Sequence, residues 1–209
     1  SRSEANLLVT PDMSPAYVAA QVVKYKIFGL KPYRLFALDP ANSRIKEFLP
    51  ETFIEVAHAR GLAITMHLSK KIGPADSENL EDLRYYTSQY PNAQWILAHC
   101  ARAFNAFMLE ASIHRLKDMP NIWHDTSAVN DLYSHYLLMK YEDRKRVMFG
   151  SDNIVAGCMR GKYITYGRAW HGYEGKPDLL HCDPTPTFVI YEQLRQERQV
   201  ADILGLTRQ

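Results

Sequence analysis

The sequence lacks the features that mark several large classes of protein. None of its 209 residues lie in an apolar run of about 18 or more, so no membrane-spanning segment is expected. The charged first residues are not followed by the apolar stretch of a signal peptide. No GxGxxG follows the first predicted strand and no GxxxxGK[ST] occurs, which disfavours nucleotide-binding folds. The net charge of +2, from 25 basic and 23 acidic residues, indicates no nucleic-acid partner.

Cysteine is also scarce in this chain. The three cysteines, Cys100, Cys158 and Cys182, are widely spaced and form no CxxC pair. An odd and sparse set suits a reducing compartment better than a disulfide framework, so we expect a cytoplasmic location. The chain opens with SRSEANLLVT and no initiator methionine, as expected of a trimmed or tagged protein or of an internal piece of a longer one.

What the chain does contain is a regular alternation of strand and helix patterns. Strands are predicted at 5–10, 27–38, 62–68, 93–100, 121–127 and 146–150. Helices are predicted from Pro15 and at 51–61, 77–90, 105–119, 130–141 and near 187–204. Such alternation with short connections requires parallel strands joined by crossover helices, as in a doubly wound sheet or a (β/α)8 barrel. With no repeats and no low-complexity linker, residues 1–209 are predicted to form a single α/β domain.

Polar side chains stand where the predicted strands end. Lys31 interrupts the second strand, His67 lies near the end of the third and His99 near the end of the fourth. Asp125 ends the fifth strand, and Asp152 follows the sixth. Because the carboxyl ends of parallel strands share one face, these side chains are expected to converge there. Histidine nitrogens and a carboxylate are ordinary ligands of zinc and other divalent metals, so a metal site is predicted.

Four motifs of this chain resemble, in order and spacing, those of the amidohydrolase-related family of metal-dependent TIM-barrel enzymes. They are GLAITMHLSK, YPNAQWILAHCAR, NIWHDTSAVND and RVMFGSDN, and the resemblance runs from about residue 20 to 155. The family includes hydrolases and the decarboxylases of aromatic or muconate-type acids. The resemblance therefore implies a (β/α)8 barrel of which this chain covers about strands three to eight.

The resemblance also implies roles for individual residues. His67 is expected to be a metal ligand, His99 a ligand or a catalytic histidine, and Asp152 a ligand or the base that acts on a water. One divalent metal ion, expected to be zinc, would activate the water or polarise a carbonyl. The expected substrate is a small organic acid, ester, lactone or amide, and hydrolysis and decarboxylation both stay open.

Three basic residues are candidates for binding an anionic substrate: Lys31, Arg34 and Arg102. A guanidinium suits a carboxylate, although Arg102 could equally be a solvated arginine at the start of a helix. Lys31 has two further options, a carboxylated lysine that bridges two metals and the Schiff-base amine of a metal-free aldolase.

The chain departs from the family near both of its ends. Members begin with an HxH pair on the first strand, and no HxH occurs in these 209 residues. Six of eight strands do not close a barrel, and the chain stops at ADILGLTRQ, where the family usually continues into another helix. We therefore expect a domain that is incomplete at both ends. A non-catalytic or assembly-dependent barrel fragment is the alternative, and the resemblance also allows a homodimer.

The segment after the last predicted strand is rich in aromatic residues. GKYITYGRAWHGYEGK (161–176) contains Tyr163, Tyr166, Trp170 and Tyr173. Clusters of this density more often pack or form an interface than stack on a ligand. Packing or an oligomer contact is therefore expected, with a lid over the site as the alternative.

Overall fold

Six parallel strands form one sheet in the computed structural model, which describes residues 4–153, 157–161, 163–172 and 185–206. The strands are β1 (Asn6–Val9), β2 (Gly29–Pro32), β3 (Ala63–Met66), β4 (Gln94–Leu97), β5 (Ile122–Asp125) and β6 (Val147–Met148). Each strand pairs in parallel with the next one along the chain. This sequential order is that of consecutive β/α-barrel units, whereas a doubly wound sheet reverses its strand order.

Helices connect and cover these strands. They are α1 (Pro15–Tyr25), α2 (Glu51–Arg60), α3 (Ser77–Gln89), α4 (Ala98–Arg102), α5 (Ala106–Glu110), α6 (Ile113–Leu116), α7 (Leu132–Tyr141) and α8 (Val189–Ile203). Ser14 caps α1 as its sequence indicates, accepting the N–H of Tyr17 at 3.2 Å. Asp131 caps α7 by accepting the N–H of Ser134 at 3.0 Å, so this helix begins slightly later than the predicted 130–141. None of the helices in the described ranges has the length and apolarity needed to cross a bilayer.

Three predicted elements differ from the structure. The segment predicted as a strand at 27–38 is a strand only over Gly29–Pro32, and Arg34–Phe36 form a short 3-10 helix instead. The strand predicted at 93–100 ends at Leu97, because the backbone that follows turns left-handed. The single helix predicted at 105–119 is divided into α5 and α6. At the break, the hydroxyl of Ser112 donates to the carbonyl of Met108 at 2.7 Å, a local bond that competes with a continuous helix.

The aromatic segment forms a separate antiparallel hairpin. Its strands are β7 (Tyr163–Tyr166) and β8 (Ala169–Gly172). The hydroxyl of Thr165 donates to the carboxylate of Asp131 at 3.2 Å, which ties the hairpin to the start of α7. Tyr173, the last aromatic residue of the predicted cluster, lies outside the described residues.

The two faces of the six-stranded sheet differ in burial. The face toward the helices carries side chains that are fully buried: Leu30, Ile64, Met66, Trp95, Leu97 and Ile122. The opposite face is half-buried and polar, with the amide of Asn6 donating to the hydroxyl of Thr65 at 3.1 Å. On the same face the indole N–H of Trp123 donates to the side-chain carbonyl of Gln94 at 2.9 Å. This second face corresponds to the interior of a barrel, while the hydrophobic core lies under the helices.

Adjacent residues on the two faces predict unequal effects on stability. Ile64→Ala should lower the free energy of unfolding by about 2–5 kcal/mol, because it opens a cavity in the core. Thr65→Ala, the matched control on the half-buried face, should cost about 1 kcal/mol or less, because it removes one hydrogen bond that is accessible to water. Urea unfolding followed by circular dichroism measures both values. Equal losses would mean that the polar face is as tightly packed as the core.

Candidate functional site

A cleft of about 320 Å³ lies at the carboxyl edge of the sheet. Its polar lining comes from five of the six strands and the turns that follow them: Lys31, Thr65, His99, Asp125, Ser127 and Asp152. The structure thus brings together four of the residues that the sequence places at strand ends: one amine (Lys31), one imidazole (His99) and two carboxylates (Asp125 and Asp152). This is the edge at which parallel α/β domains build their sites.

An unusual backbone turn presents His99 to this cleft. In α4, residues His99, Cys100, Ala101 and Arg102 have φ values of 56, 51, 64 and 66°. Each L-residue held in this left-handed region costs roughly 1–2 kcal/mol. Gly73 closes against the turn, since a Cβ there would lie 2.8 Å from the carbonyl oxygen of Ala101. Strain of this kind persists only where surrounding contacts impose it, and it is concentrated at functional sites.

Hydrogen bonds fix the imidazole of His99. Its Nδ1 lies 2.9 Å from the carbonyl oxygen of Ser127 and 3.0 Å from the hydroxyl of the same residue. Because a carbonyl can only accept, Nδ1 carries the proton and donates it to this oxygen. When the ring is neutral, Nε2 keeps its lone pair, and this is the tautomer of a metal ligand or a proton acceptor.

His67 lies beside His99 and is held neutral. The two ring centroids are 5.2 Å apart, with their planes at 78°. Burial, followed by the charges of His99, Arg102, Lys31 and Arg34, lowers the pKa of His67 to about 2. Its Nδ1 is buried and has no hydrogen-bond partner among the described residues. A buried imidazole nitrogen without a partner is costly, and coordination of a metal would satisfy it.

The two histidines fit the nitrogen half of a divalent-metal site. The unpartnered Nδ1 of His67 and the lone pair on Nε2 of His99 are donors that zinc and related ions accept. In the described part of the chain, no group of three or more His, Cys, Asp or Glu side chains is placed to share one ion. Asp152 therefore lines the cleft without joining the two histidines as a third ligand in this arrangement.

Lys31 lies in the cleft near two carboxylates. Burial lowers the pKa of its amine, and the negative charges of Asp125 and Asp152 oppose that shift. Its Nζ is 5.7 Å from the ring centroid of Tyr33. A partly desolvated amine in a cleft can bind a carboxylate or, when neutral, attack a carbonyl.

The two predicted substrate-binding arginines contact main-chain oxygens instead of lining the cleft. Nη1 of Arg34 donates to the carbonyl of Pro40 at 2.5 Å. Nη1 of Arg102 donates to the carbonyls of Leu68 and Lys70, both at 3.1 Å. In this arrangement the arginines hold the loops that follow β2 and β3, and they add positive charge near His67.

The sequence placed Asp125 at this edge of the sheet without a specific role, and Ser127 was not among the predicted site residues. The Asp125 carboxylate accepts the backbone N–H groups of His99 and Ser127, each at 3.2 Å, and also the Ser127 hydroxyl. Gly150 leaves room for it, since a Cβ on that residue would lie 1.8 Å from Asp125 Oδ1. The available signal was position, because Asp125 ends a strand at the same edge as His67 and His99.

Two aromatic side chains pack beside His99. The ring of Phe104 stacks on the imidazole with centroids 5.5 Å apart, and Trp170 of β8 packs on Phe104 at 4.7 Å. Asn105 anchors the hairpin, because its amide donates to two hairpin carbonyls at 3.0 and 2.7 Å. Of the aromatic residues noted in the sequence, Trp170 thus packs next to the site.

Comparison with known proteins places the chain in a family. The amidohydrolase family matches residues 7–182, which is most of the sequence, and the chain belongs to this family. The resemblance read from the four strand motifs is thereby confirmed. No curated protein sequence matches the chain.

Several solved structures share the fold. The 4-oxalomesaconate hydratase of Rhodopseudomonas palustris superposes with a TM-score of 0.54 at 14% identity, covering 96% of this chain and 65% of that one. A 5-carboxyvanillate decarboxylase of Novosphingobium aromaticivorans with bound manganese gives 0.51 at 14%, covering 73% and 56%. An amidohydrolase of Burkholderia multivorans with bound zinc gives 0.51 at 13%, covering 89% and 62%. The chain thus spans less than two thirds of each protein, and the likeness confirms the predicted TIM-barrel type of fold.

The burial of His67 predicts a specific acid sensitivity. In the unfolded chain this histidine takes up a proton below about pH 6.5, whereas in the folded protein its pKa is about 2. The unfolded state therefore binds more protons as the pH falls, and stability declines. In metal-free protein, His67→Gln should reduce the loss of unfolding free energy between pH 7 and pH 5 by about 2 kcal/mol. Urea titrations at the two pH values test this, and an unchanged pH dependence would contradict it.

The contact between Gly150 and Asp125 predicts a strong coupling. Gly150→Ala should destabilise the protein by about 1–3 kcal/mol, since the new methyl group overlaps the carboxylate. In an Asp125→Ala background, which removes that carboxylate, the same substitution should cost about 1 kcal/mol less. A double-mutant cycle by urea unfolding measures the coupling. Strictly additive losses would show that the clash lies elsewhere.

Proposed function

We propose that this protein is a metal-dependent hydrolase or decarboxylase that acts on a small organic acid, ester, lactone or amide. The observation that carries the proposal is the pair of adjacent imidazoles at the carboxyl edge of the sheet. One of them, His67, has a buried nitrogen without a partner, and the other, His99, is held in a ligand-competent tautomer. Membership of the amidohydrolase family supports the same reading.

In this proposal His67 and His99 hold one divalent metal ion, with zinc as the expected element. Such an ion supplies Lewis acidity that activates a water or polarises a substrate carbonyl. Asp152, at the rim of the cleft, accepts the proton released in the reaction. Ser127 keeps the His99 ring oriented through Nδ1.

The expected substrate is anionic. The ammonium group of Lys31 lies within the cleft, where it can bind a carboxylate or a polarised oxygen. Arg34 and Arg102 contribute positive charge near the histidines while their Nη1 atoms hold the loops. The ring of Phe104, stacked on His99, offers an apolar surface for the rest of the substrate.

Three further proposals come from the sequence. The 209 residues form one barrel domain, which the missing HxH pair suggests is incomplete. The sparse cysteines support a cytoplasmic location. The family resemblance supports a homodimer.

Substitutions at the site test the function directly. His67→Ala should abolish turnover and lower the bound metal at least tenfold, because it removes a nitrogen ligand. Asp152→Ala should abolish turnover while much of the metal is retained, because it removes the proton acceptor. His114→Ala, at an exposed histidine on α6, serves as the control and should change neither quantity. Plasma emission measures the metal, and circular dichroism checks that the variants fold.

Three results would overturn the proposal in different directions. Full activity in His67→Ala or Asp152→Ala would refute the site assignment. A borohydride-trapped adduct on Lys31 in metal-free protein would favour a Schiff-base aldolase, for which burial of this amine is the supporting observation. Protein that binds no metal and turns over no substrate would favour a non-catalytic or assembly-dependent fragment.

A further inference from the structure

We propose that Gln193, on helix α8, is a positioning residue that holds the site from outside the cleft. The inference rests on the proposed function, because the groups it positions are those assigned to metal binding and proton transfer. Gln193 is fully buried, which is uncommon for a glutamine. A buried amide is stable only when its polar atoms are hydrogen-bonded, so its partners reveal what it holds.

The amide of Gln193 links the ends of two neighbouring strands. Its Oε1 accepts the N–H of Ala128, after β5, at 3.2 Å. Its Nε2 donates to the carbonyl of Gly150, after β6, at 3.0 Å. Nε2 also lies 3.0 Å from the hydroxyl of Thr126 and 3.1 Å from a carboxylate oxygen of Glu197. Both the acceptor and the donor side of the amide are therefore engaged.

The link to β5 reaches His99 through a single peptide group. The N–H of Ala128 and the carbonyl of Ser127 belong to the same peptide. Gln193 binds its N–H end, while Nδ1 of His99 binds its carbonyl end. Ala128 has a φ of 59°, a left-handed conformation that needs such an anchor. Gln193 thus fixes the acceptor that determines the tautomer and the orientation of His99.

The link to β6 reaches the opposite side of the cleft. β5 and β6 pair at only two positions, so the ladder itself supports little of this edge. The carbonyl of Gly150 lies two residues before Asp152, whose φ of 46° is also left-handed. By binding this carbonyl, Gln193 extends the connection between the two strands beyond the end of their ladder.

The side chain at position 193 must accept a hydrogen bond from the Ala128 N–H and donate one to the Gly150 carbonyl, and the glutamine amide does both. A leucine has no polar atoms, so it would leave the Ala128 N–H and the Gly150 carbonyl without this partner. A glutamate would put a carboxylate against the Gly150 carbonyl and the Glu197 carboxylate, two groups that only accept. Both Gln193→Leu and Gln193→Glu are therefore expected to release the turns after β5 and β6.

The test compares Gln193→Leu with Gln199→Leu, which changes an exposed glutamine on the same helix. In the metal-free protein, amide hydrogen exchange at Ala128 should be at least tenfold faster in Gln193→Leu and unchanged in Gln199→Leu. Zinc affinity, measured by competition with a chromophoric chelator, should fall about 10- to 100-fold in Gln193→Leu alone, as for other residues that orient a ligand. Gln193→Glu should reproduce both effects, and it replaces Gln193→Leu if that variant does not fold.

The two readouts separate this inference from the proposed function. If the unsubstituted protein binds no zinc, the metal proposal fails, while the amide exchange still tests the positioning role. If zinc binds but both Gln193 variants keep the exchange rate and the affinity of the unsubstituted protein, Gln193 is not a positioning residue. Equal effects in Gln199→Leu would show that any substitution on α8 perturbs the site, which would also overturn the inference.

Discussion

At the end of β5, the carboxylate of Asp125 accepts two backbone N–H groups and one hydroxyl, and the arrangement of the site depends on these bonds. They join the turn after β4 to the turn after β5 through His99 and Ser127. Hydrogen bonds to an ionised acceptor are about twice as strong as those between neutral groups. A buried donor left without a hydrogen-bond partner lowers the stability by about 1–3 kcal/mol. Gly150, just after the next strand, leaves open the space that the carboxylate occupies, since a Cβ there would overlap Asp125 Oδ1.

The left-handed backbone around His99 has an energetic cost that the contacts of Asp125 and the core packing must offset. Four successive left-handed residues cost roughly 4–8 kcal/mol together, which is comparable to the whole stability of many domains, about 5–15 kcal/mol. Cys100 and Ala101 are fully buried in the turn, so core packing contributes to holding it. Burial also raises the pKa of the Cys100 thiol well above its ordinary value, which keeps this cysteine protonated and unreactive beside His99.

Strand periodicity was enough to predict a parallel α/β fold and much of the candidate site, whereas the barrel type was predicted only from the resemblance of the four strand motifs. Lys31, His99 and Asp152 could be placed in one cleft because parallel strands share a carboxyl edge. The left-handed turn in AHCAR could not be predicted, because it contains no glycine or asparagine to signal it. The orientations of Arg34 and Arg102 could not be predicted either, since they depend on carbonyls of folded loops.

The order of the strands has a consequence for how the site forms during folding. Each strand pairs with the next one along the chain, so the sheet can grow unit by unit, each step closing only a short loop. The bond from Gln193 to Ala128 spans 65 positions and requires α8 to be docked. A nascent chain could therefore complete its sheet while the peptide that orients His99 is still unanchored. The sheet would then form before the site is fully ordered. Docking of α8, the last of the described helices to be synthesised, would complete the site.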